Sequence, residues 1–276
     1  MSDEPAPAVD KDTMPFVAPC RHLSPFAPFG WLRKGLTDLR RAPRLSLIYG
    51  IVMATVMAVV VLLAWIYGSH WFMFAMLGGF VFIAPLSCIG LYAISAQLER
   101  DQVPSMARSL RAAFKRHFGN QMIFALVLLI IFMVWARAAV MLSIFIPTGA
   151  NPEMADLVTY LGVGTIVGAL FAAVTFSASA FSLPMIMHRD VDSITAIVTS
   201  INAVLRNRTA MLVWLSLILL GLVIGMLTAF VGLVVILPVI GYGAWHGYLE
   251  TIDATDFPRH TVGITATPRA TTTNDV

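Results

Sequence analysis

Residues 210–249 make up a stretch of 40 positions with no Lys, Arg, Asp or Glu. As one helix, rising 1.5 Å per residue, it would be about 60 Å long, roughly twice the hydrocarbon thickness of a bilayer. The run has to fold back on itself, and the reversal is expected near 228–232, between Thr228 and Gly232. Four further apolar runs, 45–68, 71–95, 122–146 and 157–187, each reach the roughly 20 residues that a spanning helix requires. The expected fold is therefore all-α: a polytopic membrane protein of six transmembrane helices, arranged as three hairpins, with the last two spans short.

Composition supports this. Hydrophobic residues are 58% of the chain and charged residues 12%, where a soluble domain carries about a quarter. So few charges cannot cover a water-facing surface. The net charge of +3 does not point to nucleic acid, because the basic residues flank apolar runs, where anionic lipid headgroups are the simpler partner. The two cysteines, Cys20 and Cys88, have no CxxC or Cys/His spacing, which supports neither a disulfide framework nor a zinc site. Residues 1–30 lack an apolar h-region before a cleavage site, so the first apolar run is expected to serve as the targeting signal.

Lys and Arg beside spans stay in the cytoplasm. Segment 33–44 holds Arg33, Lys34, Arg40, Arg41 and Arg44; segment 100–116 holds Arg100, Arg108, Arg111, Lys115 and Arg116; segment 189–208 holds Arg189, Arg206 and Arg208. The opposite connections, 69–70, 147–156 and the turn near Thr228, contain neither residue. This predicts both termini in the cytoplasm of a bacterial inner membrane, with Arg137 as the exception among 18 basic residues. Trp65, Tyr67, Trp71 and Tyr160 are then expected at the outer interface, and Trp31, Tyr49, Trp214, Trp245 and Tyr248 at the inner one.

A threefold pattern runs through the chain. Basic amphipathic stretches at 35–43, 109–117 and 197–206 precede the first, third and fifth spans. Their apolar residues recur at helical spacing, as in an interfacial helix with one face in lipid and its cations among headgroups. The second span of each pair then carries a proline, Pro85, Pro184 or Pro238, and a proline inside a helix produces a kink. Duplication of one unit and the general frequency of proline in membrane helices both account for this.

The words of the sequence resemble a known family at three places: Trp31-Leu-Arg-Lys-Gly-Leu-Thr-Asp-Leu-Arg-Arg-Ala-Pro43 followed by Ser46-Leu-Ile-Tyr-Gly50; Pro85 with Gly90-Leu-Tyr-Ala-Ile-Ser95 and Leu98-Glu-Arg100; and Leu237-Pro-Val-Ile-Gly-Tyr-Gly-Ala-Trp-His-Gly-Tyr248. These resemble the bacterial integral-membrane family catalogued as domain of unknown function 2189, over about residues 30–250. The resemblance implies an inner-membrane protein of unassigned activity. It supplies no catalytic residues.

Arg137 lies inside the third span, about 13 Å of helix from its outer end. Intramembrane arginine costs about 2.5–3.5 kcal/mol on insertion scales and often marks a cavity. Thr175, Ser177 and Ser179, a lipid phosphate or an anionic ligand would be its partners; alternatively it snorkels outward beside Trp135. Thr175, Ser177, Ser179 and Ser182, with Gly78, Gly79, Gly162, Gly164 and Gly168, suit close helix packing better than a polar path. His22, His70, His117, His188, His246 and His260 form no ligand set; His188 and His246 are read as interfacial. No catalytic motif, metal site or cofactor fingerprint is present.

The expected organisation is a disordered tail at 1–30, a six-helix transmembrane domain at 31–250 and a disordered tail at 251–276. The leading functional expectation is a non-catalytic scaffold, assembly or modulatory subunit with a membrane-protein partner. The alternatives are a small-molecule or anion carrier with a polar cavity near Arg137, and a lipid-handling protein.

Overall fold

The computed structural model describes residues 15–67, 85–105, 118–142 and 154–258. Nine helices lie among them: α1 (Ala27–Arg41), α2 (Pro43–Ile66), α3 (Ile89–Glu99), α4 (Phe118–Leu142), α5 (Met154–Ser179), α6 (Ser182–His188), α7 (Ser193–Arg206), α8 (Arg208–Leu227) and α9 (Leu233–Thr251). Five stretches are long and apolar enough to cross a membrane: Pro43–Leu63, Gly119–Leu142, Leu161–His188, Arg208–Leu227 and Leu233–Thr251. Residues 68–84, most of the other expected span, lie outside the described residues, as do the amphipathic stretch 109–117, the connection 143–153, Gly78, Gly79, His70, His117 and His260.

Local sequence explains the joints. Pro43 disfavours helical backbone at Ala42, which sits at φ −130° and ψ 55°, and α2 starts at the proline. Asp192 caps α7 by accepting the Thr195 N–H at 2.9 Å. The expected reversal falls at 228–232: Ala229 and Phe230 take φ of 50° and 68°, and Phe230 N–H closes on Gly225 O at 2.8 Å.

The three prolines do different things. Pro85 opens a helical turn ahead of α3. Pro184 lies in the first turn of α6, and its ring cannot coexist with a helical carbonyl four residues back at Ala180, so α5 stops at Ser179. Ser200 of α7 bridges that break, accepting from Phe181 N–H at 3.1 Å and donating to Ser177 O at 2.7 Å. Pro238 is interior to α9 and leaves the Val234 carbonyl without its helical donor. The backbone of α2 approaches there so closely that a Cβ on Gly50 would lie 2.0 Å from Val234 O.

One end of the bundle is a dense cap, with α9 as its post. Gly35 of α1 meets the α9 backbone at Val239 and Gly243, while Gly243 makes room for the Trp214 ring and Gly247 for that of Trp31. Trp31 is fully buried, edge-on to Phe181 and to Trp214, the latter with centroids 5.4 Å apart. Trp214, Trp245 and Tyr248 are buried too. The expected inner aromatic belt is thus the cap's core, because small residues on α9 open space for rings that would otherwise lie among headgroups.

The amphipathic reading of α1 is corrected likewise: its inward face, Pro28, Trp31, Gly35 and Asp38, is buried against protein rather than lipid. Within the ranges read as disordered tails, two segments are held in the fold. Residues 15–26 and 252–258 pack on the cap through Ala18 N–H to Thr199 Oγ1 (3.1 Å), Leu23 N–H to Asn207 Oδ1 (2.8 Å), the bridge between Cys20 and Ile252, and buried Phe257. Their polar composition hid backbone groups that find partners far away in sequence.

Away from the cap the helices loosen. Only 11% of the α4 window is buried, against 50% for α9, so α4 and α5 offer apolar surface outward. A Cβ on Gly162, Gly164 or Gly168 would meet nothing within 4 Å, so their close-packing role does not occur among the described residues. Trp65 and Tyr67, at the far end of α2, are exposed.

Candidate functional site

Two places concentrate features beyond packing: a buried polar junction in the cap and an apolar cavity below it. The junction is built by three helices. Asp38 is carried inward by α1 at the spacing of Pro28, Trp31 and Gly35. Its Oδ2 accepts the Ser95 hydroxyl of α3 and lies 2.8 Å from Nε2 of His246 on α9. The Asp38 side chain is 8% exposed and that of His246 17%, so the pair sits where an unpaired charge would be costly.

Ser, His and Asp are the residue types of a hydrolytic triad, but the connectivity differs. There the imidazole stands between hydroxyl and carboxylate and takes the hydroxyl proton. Here the carboxylate stands in the middle and Ser95 spends its proton on Asp38, so nothing activates the hydroxyl. The arrangement ties three helices together.

Around it, the Trp31 indole and Lys34 both reach Glu250 (3.3 and 3.4 Å), the Trp245 indole donates to Glu99 (3.3 Å), and Tyr248 and Nδ1 of His188 share a hydrogen bond of 2.9 Å. Arg189 is buried and donates to Phe257 O at 2.6 Å. Sequence reasoning left Asp38 unremarked, although it is the acidic residue on the face of α1 that carries Trp31. The histidines read as interfacial, His188 and His246, are both part of this network.

The cavity lies between α2, the 85–88 turn, α5, α8 and α9, and measures about 260 Å³. Tyr49, Met53, Leu222 and Leu237 are among its walls, which are overwhelmingly apolar. Of the sequence-predicted residues, Thr175, Ser179 and Pro85 line it. Ser179 bonds back to Thr175 O at 2.7 Å, and Thr175 Oγ1 is buried without a hydrogen-bond partner among the described residues. Ser177 and Arg137 are not among the lining residues. Ser177 serves α7 through its carbonyl, and Arg137 is exposed on α4. A polar cavity shared by the hydroxyls and Arg137 was one of two readings of the sequence, outward snorkelling the other, and Arg137 is not among the residues that line the cavity. Periodicity within a span does not report which neighbour a face meets. Among the described residues, no group of three or more His, Cys, Asp or Glu could hold a metal ion.

Comparison with known proteins adds one finding. Residues 72–188 match the family model described as "Predicted integral membrane protein (DUF2189)", in agreement with a multi-span, all-helical integral membrane protein. The match covers the middle of the chain and does not reach 31–43 or 237–248, two of the stretches that carry the resemblance. No curated protein and no solved structure matches the chain.

Proposed function

We infer that this is a non-catalytic inner-membrane protein, with six spans and both termini in the cytoplasm, that acts as a scaffold or modulatory subunit for a membrane-protein partner. The observation that carries the reading is how the cap uses its polar groups. Asp38, Ser95, His246, Glu99, Glu250, His188 and Tyr248 are engaged with one another or with cap tryptophans, which suits a rigid platform. An enzyme would hold at least one reactive group ready for substrate.

The return of the chain to the cap supports the sixth span. Ala42, at the start of α2, packs in one cluster with Leu91, Ile94 and Leu98 of α3 and with Tyr242. Between them α2 runs 24 residues away, about 36 Å of helix, so the connection has to cross back. The basic flanks that begin and end at the cap support its cytoplasmic placement.

Gentle-detergent isolation of the tagged full chain tests the role: a stoichiometric membrane-protein partner is expected, and its consistent absence removes the scaffold. Accessibility mapping of tags at both ends tests orientation, and labelling of either end from outside the cell overturns it.

The cavity favours a second reading, lipid handling. Its walls suit a hydrocarbon chain rather than an anion, and Arg137 stands elsewhere, so the anion-carrier alternative has no geometric support. Exchange of a fluorescent-chain lipid between vesicles, faster with the protein than without it, is the outcome this reading requires.

A further inference from the structure

With its inward face occupied by α9, α1 turns a second, outward stripe away from the protein. Phe26, Phe29, Arg33, Thr37 and Arg40 follow at three- to four-residue spacing and are all exposed, which puts them on one helix face. Phe26 and Phe29 are 74% and 51% exposed, with ring centroids 6.4 Å apart.

The cations of this region divide into two sets. Lys34 is paired with Glu250 and Arg41 with Asp101. Arg33, Arg40 and Arg44 form no ion pair among the described residues. Arg44 stands in the first turn of α2, just ahead of Leu47, Ile48, Ile51 and Val52, which are exposed apolar residues at the start of a span. The stripe therefore ends at the depth where the hydrocarbon region begins, in the headgroup layer.

We propose that the outward stripe of α1, Phe26, Phe29, Arg33 and Arg40, together with Arg44 of α2, is a binding surface for the phosphate groups of anionic phospholipids. The three guanidinium groups offer planar, always-charged donors that fit phosphate oxygens two at a time. Phe26 and Phe29, at the opposite end of α1 from Arg40 and Arg44, add exposed aromatic surface of the kind that partitions to membrane interfaces. An acidic segment of a partner protein would also meet the arginines, but Arg44 stands just ahead of Leu47, Ile48, Ile51 and Val52, exposed apolar residues at the start of a span, which suits lipid better. The inference rests on the membrane-embedded reading above but not on which side the cap faces, since a disc carries the same lipid in both leaflets.

The test uses the purified full chain in discs of phosphatidylcholine, with a trace of spin-labelled phosphatidylglycerol or spin-labelled phosphatidylcholine. The immobilised fraction of each label reports its affinity for the protein surface. A several-fold preference for phosphatidylglycerol is expected at low salt, shrinking as salt shortens the Debye length. The combined Arg33→Gln, Arg40→Gln and Arg44→Gln variant should bring the two labels to parity. Arg40→Gln alone, at an exposed position with no ion pair among the described residues to lose, should remove part of the preference and keeps the test decisive if the triple variant does not fold. Equal binding of both labels by the unaltered protein, or an unchanged preference in the variants, overturns the proposal. So does loss of a co-purifying acidic protein from the variants while the lipid preference stays intact.

Discussion

Asp38 carries the largest single-residue consequence in the cap. Asp38→Ala leaves the Ser95 hydroxyl and the His246 imidazole without their acceptor. Breaking a buried pair costs about 3–5 kcal/mol, and the partial exposure of His246 brings the expectation to about 2–4 kcal/mol. Unfolding in mixed micelles measures it, and a midpoint equal to that of the unaltered protein would contradict the tie. Asp38→Asn keeps one acceptor oxygen and should lose less. The glycines divide in the same way. Gly50→Ala places a methyl 2.0 Å from Val234 O, a backbone atom that cannot yield, so α2 must separate from α9. Gly164→Ala meets nothing within 4 Å and should be neutral or stabilising by up to about 1 kcal/mol from helix propensity. If both alanines had the same effect on melting, the close approach of α2 to α9 would be wrong. At this scale the sequence marked glycines but could not rank them: Gly164 and Gly168 carried the familiar spacing, while Gly35, Gly50 and Gly243 make the contacts.

Among the elements, α4 is held by little. Phe124 and Leu128 are buried, whereas Ile130 and Met133 on the same helix are exposed. Phe124→Ala should cost about 3–5 kcal/mol by opening a cavity, and Ile130→Ala about 0.5 kcal/mol or less. Comparable losses at the two sites in a denaturant titration would show that α4 packs otherwise. The segment 15–26 is pinned by Asn207, which accepts from Leu23 N–H and donates to Arg21 O. Burial pushes the nearby Cys20 thiol above the ordinary range, partly offset by Asn202 and Arg206. A raised thiol pKa means less thiolate at neutral pH, so alkylation of Cys20 should be slow there and accelerate only at pH above the usual thiol range. Asn207→Ala should free the segment and raise the neutral-pH rate, read by peptide mass spectrometry; an unchanged rate would mean Asn207 is not the pin. The helices α1 and α7 were legible from their periodicity. Their docking partners were not, since an apolar face fits lipid and protein equally well.

For the molecule as a whole, the cap and the α4–α5 arm should respond differently to denaturant. Trp31, Trp214 and Trp245 share one buried cluster, and Trp135, half-buried beside Phe132 on the loosely held α4, packs against it without belonging to its buried set. Single-tryptophan fluorescence is expected to show the three cap residues changing together, after Trp135. Simultaneous change at all four positions would mean one cooperative unit. Thr175 and Ser179 were singled out in sequence as candidate partners of Arg137, and in the structure they line an apolar cavity that Arg137 does not reach.

Five runs long and apolar enough to span a membrane, the reversal at 228–232 and the amphipathic helices α1 and α7 were determined by the sequence alone. Transfer between water and oil adds residue by residue along a run, so it can be read without knowing any neighbour. Tertiary structure alone decided that Trp31 is core rather than belt, that α1 faces α9, and that Asp38 meets His246 across 208 positions of chain. Those outcomes depend on which helix stands next to which, and one-dimensional periodicity contains no such information.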